Sequence, residues 1–219
     1  MKHLTFYLDF ISPYAYLAFH ALPQSLMGLS YSVTYKPVFL GALLKHNGML
    51  GPAEVPPKRA WIYRQVQWQA QQLGVKLDMP AQHPFNPLAL LRLAVSLEAQ
   101  GQPNRYVCET LFRHVWEGGL DATDPQRLAE LTERLAPRRI PGSDDVKTQL
   151  KSHADKAIAL GVFGVPAIEV DGKVFWGLDS LPMLRSYLDG DTWFTDAQWE
   201  GVNSLPSGIP LVRAPNVAI

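Results

Sequence analysis

The segment of this chain best suited to chemistry is Ser12-Pro13-Tyr14-Ala15. An apolar, aromatic-rich run over residues 4–11 precedes it and predicts a strand. Proline suits the first turn of a helix and serine suits the N-cap, so a helix is predicted to begin at Pro13. The unpaired N–H groups and partial positive charge of a helix N-terminus stabilise anions. Ser12 is therefore predicted to lie at an anion-binding helix terminus.

The same segment has the spacing of a Cys-x-x-Cys redox motif, with Ser12 and Ala15 where the cysteines would stand. Dithiol chemistry is excluded at this position, whereas anion binding is not, so a disulfide oxidoreductase is disfavoured. The one cysteine of the sequence, Cys108, lies in an amphipathic helical pattern. It is predicted to be a buried apolar side chain.

Composition limits the classes of function. The chain has 219 residues, of which 47% are hydrophobic and six are tryptophan, which is enough for a large core. Twenty basic residues balance twenty acidic ones, so neither a nucleic acid nor an anionic membrane surface is expected as a partner. No signal peptide and no membrane span are expected from the apolar runs, and the protein is predicted to be cytoplasmic.

Neither a metal nor a nucleotide is expected. The six histidines show no metal-ligand spacing. No glycine-rich phosphate-binding motif follows the first strand.

The elements that position Ser12 follow from the rest of the pattern. Residues 31–38 alternate in character and predict a second strand, separated from the first by a helix over residues 14–26. A β-α-β unit of this kind pairs its two strands in parallel. Residues 42–58 are rich in glycine and proline and are predicted to form a loop. Helices are then predicted over residues 58–73, 86–100, 103–117, 124–136 and 144–160.

Strand patterns return after this helical block. Ala167–Val170 and Lys173–Trp176 are joined by Asp171-Gly172, which is typical of a type I′ hairpin turn. The helix that follows, from Leu181, is predicted to be capped by Asp179 or Ser180.

Several segments together resemble one known family. They are Phe10-Ile11-Ser12-Pro13-Tyr14-Ala15-Tyr16-Leu17, Val55-Pro56-Pro57-Lys58-Arg59, Phe85-Asn86-Pro87, Phe112-Arg113-x-x-Trp116, Gly164-Val165-Pro166 and Gly177-Leu178-Asp179. With the order of elements, over about residues 3–190, they are similar to the glutathione-dependent branch of the DsbA-like thioredoxin superfamily. That branch holds the kappa-class glutathione transferases and the 2-hydroxychromene-2-carboxylate isomerases.

The resemblance implies an α/β, thioredoxin-like fold with a large all-helical insertion domain. The thioredoxin-like domain would be discontinuous, comprising residues 1–41 and 161–190. Residues 42–160 would form the insertion domain. Residues 191–219 lie beyond the resemblance and show no clear period, so they are predicted to form a C-terminal tail that packs over the body or against a partner subunit. A homodimer is expected.

The resemblance also assigns glutathione as the cofactor and places it against five residues. The Ser12 hydroxyl would donate to the bound thiolate. A cis peptide bond between Val165 and Pro166 would face Ser12 and pair with the cysteinyl backbone of glutathione, as in strand addition. Leu178 and Asp179 would hold the γ-glutamyl end, although an aspartate at that position is also a sufficient helix cap.

Further candidates come from the inserted region. The resemblance implies that Lys58 pairs with the glycyl carboxylate of glutathione or with a substrate carboxylate. Asn47 is a candidate glutathione ligand, in a loop about two residues longer than is usual in the family. Tyr14 and Asn86 are candidates for substrate binding, and Asn86 could instead cap the next helix.

Aromatic residues of the insertion allow two interpretations. Trp61, Tyr63 and Trp68 are favoured as core residues, although a planar aromatic substrate would need such surfaces. Trp116 is predicted to be core.

The function that the resemblance implies is interconversion of 2-hydroxychromene-2-carboxylate and trans-o-hydroxybenzylidenepyruvate, or of a close analogue in aromatic catabolism. The thiolate would add reversibly to the conjugated chain, and the substrate would be a small aromatic keto acid. A kappa-type glutathione transferase or peroxidase, which would consume glutathione at a similar site, is an alternative. A non-catalytic thioredoxin-fold interaction protein is another.

Overall fold

The computed structural model describes residues 1–208 and contains one four-stranded sheet. The strands are β1 (Lys2–Leu8), β2 (Tyr31–Pro37), β3 (Ala167–Val170) and β4 (Lys173–Trp176). The helices are α1 (Pro13–Ser25), α2 (Leu40–His46), α3 (Pro56–Leu73), α4 (Leu88–Ser96), α5 (Arg105–Trp116), α6 (Pro125–Leu135), α7 (Asp144–Ala159), α8 (Leu181–Leu188) and α9 (Ala197–Gly201). Short 3₁₀ turns occupy Pro52–Glu54, Leu178–Ser180, Thr192–Thr195 and Val202–Ser204.

The sheet has the order β2-β1-β3-β4 and mixed direction. β1 and β2 pair in parallel across the α1 crossover, as predicted. β3 pairs antiparallel with β1 and with β4. Asp171 and Gly172 adopt φ values of 50° and 79°, so the predicted type I′ turn closes the β3–β4 hairpin.

The helical insertion lies between β2 and β3. Within residues 1–208, the chain from Leu40 to Ala159 contributes helices and turns but no strand. The five helices predicted there are found as α3 to α7, with ends that differ by a few residues. The predicted α/β, thioredoxin-like fold with a large all-helical insertion is therefore confirmed.

The predicted loop over residues 42–58 is partly wrong. Helix α2 spans Leu40–His46, and α3 already begins at Pro56, with Val55 at its N-cap position. Helix α2 has seven residues and includes Gly41, so its sequence offers too few turns for a helical period to be seen. Lys58 consequently lies in the third position of α3 instead of opening it.

Apolar side chains of β1 pack on both faces of the sheet. Leu4, Phe6 and Leu8 of β1 pack into the larger core with α1, α4 and α5. Tyr7 points the other way, into a smaller cluster with residues of α2 and α7. This alternation is the period-two pattern of a strand covered on both faces.

The predictions for single core residues have mixed outcomes. Trp116 and Cys108 are fully buried, as predicted. Trp61 and Trp68 are 63% and 61% exposed, so the favoured interpretation that they are core residues is wrong. They lie seven residues apart and share one face of α3, whereas Val66 points from the other face into the core.

The C-terminal segment begins by packing on the body. Phe194 is buried, with its ring 5.9 Å from that of Phe175 and 5.3 Å from that of Tyr187. Residues 209–219 of the predicted tail lie outside the described residues. No helix in the described part of the chain is both long and apolar enough to cross a membrane.

Candidate active site at the N-terminus of α1

Ser12 caps α1, as the sequence predicts. Its Oγ accepts a hydrogen bond of 3.2 Å from the Ala15 N–H, and Pro13 occupies the first helical position. The Ser12 side chain is buried, so the cap is screened from bulk water. The 13-residue helix directs the positive end of its dipole at this position.

The loop before β3 faces Ser12 through a cis Val165-Pro166 peptide bond, which confirms the predicted isomer. The Ser12 hydroxyl donates to the Val165 carbonyl oxygen over 3.3 Å. This is long for a bond between two oxygens, whose usual length is about 2.7–2.8 Å, so the hydroxyl is weakly held. Val165 is buried, and within the described residues its N–H has no hydrogen-bond partner.

The turn at Leu178–Ser180 is fixed to this cis-proline loop. The Gly177 N–H donates to the Pro166 carbonyl over 2.9 Å. Gly177 has a φ of 97°, a backbone conformation that favours glycine over residues with a side chain. Of the two predicted caps of α8, Ser180 stands at the N-cap position, whereas Asp179 lies one residue too early. The Ser180 hydroxyl makes no capping hydrogen bond and donates instead to the Gly177 carbonyl.

Asp179 and Tyr14 lie on the same side of the site. Burial, and then the negative charge of Asp179, raise the pKa of the Tyr14 hydroxyl. Asp179 itself is exposed, so its carboxylate is accessible to a ligand. Leu178 packs against the larger core, which leaves its backbone as the part able to bind a ligand.

Helix α3 joins the site through Tyr14. The Tyr14 hydroxyl donates to Oε1 of Gln65 over 2.6 Å. Lys58 lies seven residues earlier, on the same face of α3 and about 10 Å along the helix axis. Lys58 is exposed, and its neighbour Arg59 is exposed too, so this end of α3 presents two cations.

Asn47 and Asn86 have local roles in the structure. The Asn47 side chain donates to the Leu43 carbonyl over 2.8 Å at the end of α2. Asn86 is exposed, and its Oδ1 accepts from the Leu88 N–H over 3.1 Å at the start of α4. Neither side chain makes a hydrogen bond to Ser12 or to the cis-proline loop within the described residues, and their roles as ligands stay predictions.

Sequence reasoning missed Asp9. Its carboxylate is fully buried and accepts the N–H groups of Ile11 and Leu40, over 3.2 and 2.9 Å. Burial raises the pKa of Asp9 to about 7, against these hydrogen bonds, which lower it. The signal was present in the sequence, because Asp9 is the one charged residue in the otherwise apolar run over residues 4–11.

His83 and Trp116 were also missed as parts of the site. Nε2 of His83 lies 2.8 Å from the Ile11 carbonyl oxygen, and Nε1 of Trp116 donates to the Phe10 carbonyl over 2.9 Å. Both side chains come from the insertion, more than seventy residues away in sequence. No local pattern could have linked them to Ser12. Among residues 1–208 no group of three His, Cys, Asp or Glu side chains could hold a metal ion.

A family model described as the DSBA-like thioredoxin domain matches residues 3–189. This chain belongs to the DSBA-like thioredoxin domain family. Its membership confirms the superfamily inferred from the motifs around Ser12 and Pro166. In this member, Ser12 and Ala15 stand where a redox-active dithiol would be expected.

Relatives within the family are named as enzymes. The chain is 29% identical over 195 residues to a 2-hydroxychromene-2-carboxylate isomerase of Sphingobium xenophagum, covering 85% of this chain and 98% of the relative. It is 26% identical to glutathione S-transferase kappa 1 of Rattus norvegicus, covering 87% and 92%. A solved 2-hydroxychromene-2-carboxylate isomerase has the same fold, with a TM-score of 0.73 over 88% of this chain and 97% of that one, at 24% identity.

Proposed function

We propose that this family member is a glutathione-dependent isomerase. Its substrates would be 2-hydroxychromene-2-carboxylate and trans-o-hydroxybenzylidenepyruvate, or a close aromatic keto acid. The observation that carries the proposal is that the cysteine-free N-terminus of α1, capped by Ser12, faces the backbone of Val165 in the loop before β3. The isomerase relative, at 29% identity, supports this choice of reaction.

The residues present fit glutathione. Val165 is buried, and its backbone N–H, which has no hydrogen-bond partner among the described residues, lies beside its carbonyl group, so the two can pair with the backbone of a peptide-like ligand. The N-terminus of α1 lowers the pKa of a thiol from its free value of about 8.5, so a thiol bound there ionises near neutral pH. The weak bond between the Ser12 hydroxyl and Val165 allows the hydroxyl to rotate and donate to a thiolate.

Charged groups for the two ends of glutathione flank this position. The exposed Asp179 carboxylate and the backbone at Leu178 can hold the γ-glutamyl amino and carboxylate groups. Lys58 and Arg59, in the first turn of α3, can hold the glycyl carboxylate or a substrate carboxylate. We also propose Asn47 as a glutathione ligand in the preceding loop.

When bound, glutathione supplies a thiolate that can add reversibly to a conjugated double bond, which makes rotation about that bond possible. The chain's own contribution is positioning. Ser12 and the start of α1 hold the sulfur ionised, while Tyr14, Asn86 and Lys58 orient the keto acid. Fixing two reactants in this way can replace a large part of the entropic barrier of a bimolecular step.

A second candidate is a kappa-type glutathione transferase or peroxidase. The kappa-class relative, at 26% identity over 87% of this chain, favours it. The same residues would bind glutathione, but glutathione would be consumed. A non-catalytic interaction protein would bind no glutathione.

Calorimetric titration with glutathione, followed by a stoichiometry experiment, tests the proposal. With glutathione at about a hundredth of the substrate concentration, absorbance should relax to the same equilibrium from either isomer, since addition and elimination return the thiol. Loss of one glutathione per substrate would establish the transferase instead. Isomerisation without any thiol would contradict the mechanism, and no binding would favour the interaction protein.

A further inference from the structure

Side chains of the helical insertion hold the backbone immediately before Ser12. Nε1 of Trp116 donates to the Phe10 carbonyl, and Nε2 of His83 lies 2.8 Å from the Ile11 carbonyl. The Ser12 N–H donates to the Asp9 carbonyl over 3.1 Å. The peptide group between Ile11 and Ser12 is therefore held at its oxygen by His83 and at its N–H by Asp9.

The protonation of His83 follows from its partners. A carbonyl oxygen can only accept a hydrogen bond, so Nε2 must carry the proton that faces Ile11. Nδ1 lies 2.8 Å from the Tyr63 hydroxyl, which receives a hydrogen bond of 3.0 Å from Nε of Arg59. The Tyr63 hydroxyl proton is shared between Nδ1 and the His83 carbonyl oxygen, which also lies 2.8 Å away. Burial is the main cause that lowers the pKa of His83, so the ring is neutral at neutral pH.

This chain of contacts connects two parts of the site. Arg59 and Tyr63 lie on α3, the helix whose first turn presents Lys58. His83 in turn contacts the Ile11 carbonyl, and the residue after Ile11 is Ser12, the cap of α1. The direction of the Ser12 side chain and of the first N–H groups of α1 thus depends on a side chain of the insertion.

We propose that His83 is a positioning residue for Ser12, which fixes the N-terminus of α1 where the thiolate is to be held. This deepens the proposed function and rests on it for the identity of the thiolate. The geometry itself belongs to this chain and can be measured without glutathione. The competing interpretation is that His83 only stabilises the fold.

The test uses a thiol placed at position 12 as a reporter. In Ser12→Cys, the pKa of the introduced thiol can be read from thiolate absorbance. The native Cys108 is fully buried and burial raises the pKa of its thiol, so it stays silent in the titration. The introduced thiol should ionise below the free value of about 8.5.

His83→Leu in this background removes the donor to Ile11 without changing a charge at neutral pH. It should raise the pKa of the introduced thiol by about one unit, a tenfold change in the ionisation constant. His83→Gln, whose amide N–H can reach the Ile11 carbonyl, should restore most of the lowered pKa. His83→Asn, with a shorter side chain, should not, and it replaces His83→Leu if that variant fails to fold.

His114 provides a matched control. Its Nε2 lies 3.0 Å from the Ala122 carbonyl, it is half-buried, and burial lowers its pKa too. His114→Leu should lower stability by an amount similar to His83→Leu and leave the thiol pKa unchanged. An unchanged thiol pKa in folded His83→Leu or His83→Asn, or an equal rise in His114→Leu, would overturn the proposal. Calorimetry of glutathione with the unmodified protein reports separately on the proposed function.

Discussion

The Ser12 hydroxyl accepts the Ala15 N–H and donates to the Val165 carbonyl, so its removal affects both the helix cap and the proposed sulfur site. Ser12→Ala should cost about 1 kcal/mol of stability through the cap. Turnover should fall at least tenfold, and the pKa of bound glutathione should rise, because the thiolate loses a donor. Kinetics at saturating glutathione and ultraviolet titration of the thiol measure the two effects.

A second helix cap separates these effects of Ser12→Ala. Asn104 caps α5, with its Oδ1 accepting from the Val107 N–H over 3.0 Å. Asn104→Ala should therefore lose a similar amount of stability without a tenfold loss of turnover. Full activity of Ser12→Ala with saturating glutathione would remove Ser12 from the mechanism.

Asp9 makes stability depend on pH. Burial raises its pKa to about 7 from the ordinary 3.8, so between these values the folded protein keeps a proton that the unfolded chain has lost. The contribution of Asp9 to the free energy of unfolding is therefore greatest below the unfolded pKa, and it is lost as the pH rises from there through about 7. Asp9→Asn stays uncharged, so its free energy of unfolding should increase relative to that of the unmodified protein over that window, by about 1.4 kcal/mol for each pH unit.

Urea unfolding of both proteins from about pH 4 to about pH 8 measures this difference. His153, whose pKa burial lowers to about 4, contributes with the opposite sign, but it is present in both proteins and cancels. A difference that stays constant with pH would show that Asp9 is ionised in the folded state at all these pH values.

Ser12 was identified from its own neighbours, since it precedes Pro13 at a strand–helix junction. Pro166 was assigned through the resemblance of the Gly164-Val165-Pro166 segment to the family. His83 follows no such pattern, because its partner Ile11 is 72 residues away. Contacts of that range arise from tertiary packing, which a local pattern does not encode.

At the scale of elements, α3 connects the insertion to the site. The hydrogen bond from Tyr14 to Gln65 fixes its face towards α1, and Lys58 lies at its exposed N-terminal end. Lys58→Ala should raise the KM for glutathione or keto acid about tenfold and change kcat little, since the ammonium binds a carboxylate distant from the reacting carbon.

Arg64 offers a control for Lys58→Ala on the same helix. It is also an exposed cation, but it lies six residues after Lys58 and therefore on a different face of α3. Arg64→Ala should leave both constants unchanged. A fall in kcat with constant KM for Lys58→Ala would mean that the ammonium acts in the transition state instead.

The elements best predicted from the sequence are helices long enough to show several turns of the helical period, and hairpins with a specific turn sequence. Helices α3 to α7 have at least nine residues each, and the β3–β4 turn carries Asp171-Gly172. Helix α2 was missed because seven residues that include Gly41 give no clear period. The exposure of Trp61 and Trp68 was missed for a different reason: an aromatic residue at helical spacing does not reveal which face is covered.

At the scale of the whole molecule, the proposed ligand site draws on segments that only the native fold brings together. Ser12 caps the first helix, Pro166 lies in the loop before β3, the turn at Leu178–Ser180 follows the hairpin, and Lys58 belongs to the insertion. The unfolded chain has no such site. A ligand that binds there must therefore stabilise the entire fold.

S-methylglutathione should consequently raise the melting temperature, because it keeps the backbone and carboxylate contacts, and it should inhibit turnover, because it offers no thiolate. At a hundred times its Kd the stabilisation should be about 2.7 kcal/mol. Calorimetric or fluorescence melting measures it.

Cysteinylglycine, which lacks the γ-glutamyl group that Asp179 is proposed to hold, should stabilise less at the same concentration. Ser12→Ala should retain most of the stabilisation by S-methylglutathione, since the methylated sulfur needs no donor. If S-methylglutathione neither stabilises nor inhibits, the backbone at Val165 and the charges at Lys58 and Asp179 do not form a glutathione site.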